Sequence, residues 1–190
     1  MLRRARITAV SLLALTSLSA CAVGSNNPEE GQSKPAPANG TDPALSVNNP
    51  KNLKGITDAC QLLTPEQRTQ LGVSDDKDFE SLINDVYQEP SCEIFSDAYN
   101  AMIDINANNG GMAKLHAGKD KWDNFTPTEV AGYPAAQLDA QSILCRVHVG
   151  VADDQSLEVY YSKNAGGTPE MDDPCGFAEK IAVEALKNVP

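Results

Sequence analysis

The chain has 190 residues, 26 of them Asp or Glu against 15 Lys or Arg, for a formal net charge of −11. An acidic chain without a basic run is a poor partner for nucleic acid or anionic lipid, both of which are gripped through clustered Lys and Arg. The acidity favours solubility instead, and the length suits one domain with a modest core once the terminal segments are set aside.

The N-terminus has the three parts of an export signal. Arg3, Arg4 and Arg6 form a positive segment, residues 7–18 a short apolar run, and Ser19-Ala20 the small residues beside a cleavage site. The apolar run is shorter than the ~20 residues needed to span a bilayer, so it reads as a removable signal over 1–20. It stops at Cys21, one of five cysteines, and an exported chain that pairs its thiols leaves one over. "LSAC" looks like a bacterial lipobox, in which the cysteine becomes the first mature residue and carries a diacylglycerol. Cys21 is therefore the expected lipidation site, and the bilayer the expected partner through it, since two or three acyl chains hold a protein stably where one does not. Residues 22–50 are rich in Pro, Asn, Gly and Ser and too poor in large apolar side chains to fold alone. Together with Cys21 they make an expected tether over 21–50, a coil of ~29 residues reaching roughly 30 Å. One extracytoplasmic domain is expected over 51–190.

Within it, "TPEQRTQLG" has Thr64 as N-cap, Pro65 in the first turn, Gln67 three residues on and Gly72 at the end, a capping-box helix. Phe79, Leu82, Ile83 and Val86 fall at i, i+3, i+4 and i+7, which predicts a second short helix. Strands are expected at "SCEIFS" and "NAMIDINA", a short helix at "GGMAKLHAG", and a further strand at "AAQLDA". "SILCRVHVGV" and "SLEVYYS" alternate around the turn "ADDQ". This places Ile143, Cys145, Val147, Val149, Val151, Leu157, Val159 and Tyr161 inward, with Arg146, His148, Glu158 and Tyr160 outward. The closing "DDPCGFAEKIAVEALKNVP" has an Asp N-cap, Pro174 at the first helical position and one apolar stripe from Phe177 to Leu186. The expected fold class is α+β: an antiparallel sheet with one face covered by the N- and C-terminal helices.

Cys60, Cys92, Cys145 and Cys175 lie too far apart for a zinc knuckle and belong to an oxidising compartment, so two disulfides are expected. Four cysteines allow three connectivities. Cys60–Cys92 with Cys145–Cys175 is favoured, because each bond then ties a helix start to a nearby strand.

The outward face would gather Arg146, His148, Glu158, Tyr160 and Asp104, a set able to bind a polar ligand or move a proton. The plainer reading is a solvated sheet face with a cross-strand Arg–Glu pair, and it is the favoured one. Trp122, Phe125 and Tyr133 form either an aromatic recognition patch or, as is commoner, a plug folded on the core. No G-x-S-x-G is present, and His116 and His148 lack the context of a catalytic triad. In "DDKDFE", Ser81 stands where a calcium loop of the EF-hand type needs glycine and Tyr87 where it needs glutamate. Neither a cofactor nor a metal is expected.

"TDACQLLTPEQ", Cys92, "VAGYPAA", "LCRVHVGV" and "DDPCGFAEKIA" occur in one order that resembles an actinobacterial lipoprotein family catalogued only as a domain of unknown function (family 3558). The resemblance spans residues 55–190. It implies export, the lipid anchor and the fold, and it implies no reaction. Two departures are visible. Ala59 stands where the family carries proline, and Ile94 where it carries an aromatic residue that either packs or serves a ligand. The expected role is a non-enzymatic lipoprotein on the extracytoplasmic face of the cell membrane, binding a small ligand or an envelope protein. The alternative is an accessory or structural subunit of an envelope complex such as a transporter, with an enzyme third.

Overall fold

The computed structural model describes residues 45–190. The expected signal, Cys21 and most of the tether lie outside the described residues. Contacts with the domain begin before residue 51: Leu45 packs on an apolar cluster, and the Asn49 carbonyl accepts a hydrogen bond from the Tyr133 hydroxyl at 2.9 Å.

A 3-10 turn over Ala59–Leu62 leads into α1 (Pro65–Gln70). The capping box of α1 forms as its residues require: the Gln67 amide donates to the Thr64 hydroxyl, and the Thr64 amide to the Gln67 side chain. Then come β1 (Phe79–Ile83), β2 (Pro90–Phe95) and β3 (Tyr99–Asn106), followed by α2 (Met112–Ala117). The chain continues through β4 (Phe125–Val130), β5 (Tyr133–Leu138), β6 (Leu144–Ala152) and β7 (Gln155–Lys163), and closes with α3 (Pro174–Leu186). The seven strands form one antiparallel sheet in the order β1-β2-β3-β7-β6-β5-β4. It is sheet-dominated with helices at the ends, compatible with α+β. Among the described residues no helix is long and apolar enough to cross a membrane.

The stretch 79–86 is not the helix its spacing predicts. Phe79–Ile83 is the edge strand β1, its residues alternating poorly in burial because one side of the strand has no neighbour. The residues after Ile83 form the connection to β2. A further strand, β4, occupies 125–130, where no strand is expected. Val130 and Tyr133 face each other across Ala131 and Gly132, both at positive φ, the conformation of a tight two-residue hairpin turn.

The main core lies between one sheet face and α3. Val147, Val149, Leu157, Val159, Ile103 and Ile105 are fully buried beneath Phe177, Ala178, Ile181, Ala182 and Ala185. Each large side chain so buried contributes about 1.5–3 kcal/mol. Tyr99, Tyr161 and Phe177 pack ring to ring, centroids 5.1–5.4 Å apart. The two buried hydroxyls donate to backbone carbonyls, Tyr99 to Leu71 at 3.1 Å and Tyr161 to Met171 at 3.0 Å. Ile94 belongs to this core, so the position packs. Ile143, expected inward, stands just before β6 and is exposed, because the alternation runs past the end of the paired strand.

Two disulfides close the frame, Cys60–Cys92 and Cys145–Cys175. One ties the turn before α1 to β2, the other ties β6 to the first turn of α3.

Candidate functional site: a cleft over a buried polar row

Antiparallel register places Ser91, Asp104, Glu158 and His148 opposite one another in a single line across β2, β3, β7 and β6. Arg146 and Tyr160 oppose each other in the adjacent line. The alternation therefore brings all five expected residues together on one face. It is not a solvated face, however. Asp104, Glu158 and His148 are only 2–4% exposed. The expectation of one covered face is corrected here, for two segments distant in sequence lie over this side.

The first is the β1–β2 connection. The Asn84 side-chain oxygen accepts the amides of Val86 and Tyr87 at 2.7 and 3.0 Å, which tightens the turn, while its amide group donates to Asp104 Oδ1 at 2.8 Å. Tyr87 then points its hydroxyl inward and donates to Glu158 Oε2 at 2.6 Å. The second is the segment from Asn106 to Trp122. Gly110 and Gly111 let it approach the β6–β7 hairpin closely. A Cβ on Gly111, at φ +92°, would stand 2.1 Å from the Asp153 carbonyl oxygen. Met112 then seats directly over Gly150, where a Cβ would meet its Cγ at 2.4 Å. Met112, Ala136 and Leu138 form a second small apolar cluster with Leu115, Trp122 and Phe125.

The expected aromatic trio is accordingly divided. Trp122 and Phe125 pack with α2 on the polar side, and Tyr133 packs against the main core on the other. The Trp122 ring lies 6.0 Å from that of His148, and Phe125 meets His116 edge-on at 4.8 Å.

Glu158 is the centre of the row. Arg146 Nη1 lies 2.6 Å from its Oε1, and His148 Nε2 lies 2.6 Å from its Oε2. Burial alone would raise the Glu158 pKa. His148, the Tyr87 hydroxyl and Arg146 together outweigh that and pull it down to about 2. Asp104 goes the other way. Burial raises its pKa, the facing Glu158 adds to the rise, and hydrogen bonds from Ser91 and Asn84 offset only part of it. The Tyr87 phenol is raised by burial and by the Glu158 charge, and so stays a donor. Arg146 also reaches Asp139 at 3.6 Å and lies over the Tyr160 ring at 4.9 Å.

Between the two covering segments a cleft of about 320 Å³ opens onto this row. His148, Ser156 and Asn106 contribute from the sheet, Tyr87 and Val86 from the β1–β2 connection. Leu115, Trp122, Lys114 and Lys121 close the opposite side. A depression of about 580 Å³ lies between the 72–78 loop and the 95–98 turn, but the charged groups there, such as Asp75 and Lys77, are exposed. The cleft joins buried, oriented polar groups to apolar walls, as small-molecule sites do. Among the described residues no group of three or more His, Cys, Asp or Glu is placed to hold a metal ion.

The description "Protein of unknown function (DUF3558)" matches residues 16–188, nearly the whole chain. The chain belongs to this family. No curated protein and no solved structure matches it. In this DUF3558 domain, the residues that sequence reasoning passed over are Asn84, Tyr87, Asn106, Lys114, Lys121 and Ser156. The run "NANNGG" carries a signal for the close approach at Gly110-Gly111. Nothing local marks Tyr87, whose partner is 71 residues away.

Proposed function

We propose that the chain is a lipid-anchored, non-enzymatic binding protein of the cell envelope, presenting the cleft beside His148 to a small ligand on the extracytoplasmic side. The observation that carries this reading is the Glu158 carboxylate. Buried and ionised, it holds both Tyr87 and His148, two residues of the cleft wall. Polar groups fixed in advance next to Leu115 and Trp122 cost little ordering entropy when a ligand arrives. The lipid anchor draws support from the cysteine count. Four of the five cysteines pair within the domain, and Cys21 follows a segment whose sequence predicts an export signal.

A second reading has its own observation. Ile83 and Val86 are 57% and 81% exposed on the β1–β2 hairpin at one edge of the sheet, as a docking surface of an accessory subunit would be.

Native mass spectrometry of the full chain, extracted gently from its own membranes, tests both. A lipidated chain carrying a small further mass, lost in Trp122→Ala, is the expected result. A co-extracted protein whose release follows Ile83→Ser/Val86→Ser would favour the accessory role. The lipidated monomer alone would remove ligand carriage, and an unlipidated Cys21 the anchor.

A further inference from the structure

Resting on the reading of the cleft as a ligand site, we infer that its ligand is a small organic anion, a carboxylate or phosphate carried on a single flat, apolar body. The charges at the cleft mouth are the first ground. Acids outnumber bases 26 to 15 in the chain, and most cations of the domain have found one. Lys54, Lys77, Lys163, Lys180, Lys187, Arg68 and Arg146 all form ion pairs. Among the described residues only four lysines have no carboxylate partner. Lys51 gives its ammonium to the Val189 carbonyl. The other three, Lys114, Lys119 and Lys121, are exposed and fall within eight residues of one another, on α2 and the turn that follows it.

Two of those three line the cleft, and no Asp or Glu lines it. Lys114 is held toward the cleft rim by the neutral Asn109 side chain at 2.9 Å, an interaction that leaves its charge uncompensated. Glu158, the nearest acid to the floor, is already turned to Arg146, His148 and Tyr87. Asp120 and Asp123 adjoin these lysines in sequence but do not line the cleft, so the lining itself is positive, which attracts anions and repels cations.

Size and apolar lining define the rest of the ligand. At about 320 Å³ the cleft stands at the small end of ligand sites, matching one ring rather than a pair of acyl chains. Trp122 and Leu115 supply a flat apolar wall on the side of the lysines, and Asn106 and Ser156 supply hydrogen-bonding groups opposite.

Trp122 is the only tryptophan of the chain and lines the cleft, so its emission reports on occupancy directly. The lipidated full chain in detergent would be titrated with phenyl phosphate, benzoate, phenol and benzylamine, and with inorganic phosphate alone. Phenyl phosphate and benzoate are expected to shift the emission saturably and less strongly at high salt. Lys114→Gln/Lys121→Gln should weaken both by roughly tenfold or more while phenol stays as it was. If phenol or benzylamine saturates as well as the anions, or if the lysine variant binds anions unchanged, the anion class is wrong while the ligand site stands. Should inorganic phosphate alone match phenyl phosphate, the apolar body is wrong. If no compound alters Trp122 emission, the ligand-site reading falls with the inference.

Discussion

Glu158 on β7 and Asp104 on β3 face each other directly across the sheet, both buried, and their surroundings drive their carboxyl groups apart. Glu158 has Arg146, His148 and the Tyr87 hydroxyl at 2.6 Å each. Asp104 has the neutral Asn84 and Ser91 beside it, and the opposing charge of Glu158 outweighs what Arg146 gives back. Two carboxyls side by side in low dielectric rarely ionise with equal ease. Here the asymmetry of their partners decides which one does.

Glu158→Gln should therefore be the most damaging conservative change on this face. It leaves the Arg146 guanidinium and the His148 ring without the charge they gather around, and loss of one partner of a buried pair costs about 3–5 kcal/mol. The acid limb of stability has the corresponding sign. The folded-state pKa is about 2 against an ordinary 4.5, so the fold holds this charge more readily than the unfolded chain does. Its contribution, on the order of 3 kcal/mol, is complete above about pH 4.5 and disappears as pH falls toward about 2. Urea melts of the wild type between pH 2 and 6 should show that loss, and Glu158→Gln should flatten it. Equal acid sensitivity in the two proteins would contradict the assignment.

Asp104→Asn should act in the opposite direction. The folded-state pKa of Asp104 is raised above 3.8, so the fold holds the proton more firmly than the unfolded chain and loses stability as pH rises through the raised value. An amide keeps the oxygen that accepts from Asn84 and removes the buried charge facing Glu158. The expected outcome at neutral pH is a gain on the order of 1 kcal/mol, read as a raised thermal midpoint. Below about pH 3.8, where the wild-type Asp104 is protonated in both states, the advantage should vanish.

Much of this face was legible from alternation alone, and its burial was not. Period-two patterning places Arg146 and His148 on the side opposite Val147 and Val149, and Glu158 opposite Val159. What covers them comes from elsewhere: Tyr87 reaches Glu158 across 71 positions, and Met112 closes over Gly150 across 38. No local pattern encodes such contacts. The misread stretch 79–86 has a related cause. Phe79, Leu82, Ile83 and Val86 suit a helical stripe, yet Phe79 faces Ile94 in the sheet while Ile83 and Val86 stay exposed, so no helix face is buried there. By contrast α1 and α3 carry their instructions locally, in the Thr64–Gln67 box and in the Asp173 side chain that accepts the Gly176 amide. Those were readable residue by residue.

Reduction of the Cys145–Cys175 bond should be costly without disordering the sheet. The bond closes a loop with a sequence separation of 30, for which chain entropy gives about 3–4 kcal/mol. Cys145→Ala/Cys175→Ala should lower the urea midpoint by a corresponding amount while the strand signal in far-ultraviolet circular dichroism persists, since Val147, Val159 and Ile181 still pack. Peptide mapping under non-reducing conditions must first return Cys60–Cys92 and Cys145–Cys175.

Gly111→Ala separates the cleft from the fold that supports it. The residue sits at φ +92°, and the added methyl would stand 2.1 Å from the Asp153 backbone oxygen, which no side-chain rotation relieves. The segment carrying Met112, Lys114, Leu115 and Trp122 must then lift from the β6–β7 hairpin. The main core, on the other face of the sheet, keeps its contacts with α3. A global loss of about 1–3 kcal/mol is expected. A red shift of Trp122 emission and faster amide exchange should be confined to 107–122, with β3, β6 and β7 remaining protected. Gly132→Ala is the matched control. It also has positive φ, at +84°, but its Cβ meets nothing within 4 Å, so it should add backbone strain at the β4–β5 turn and leave the Trp122 emission unchanged. Were both variants to shift that emission alike, the close approach at Gly111 would not be what holds the cleft wall over the polar row.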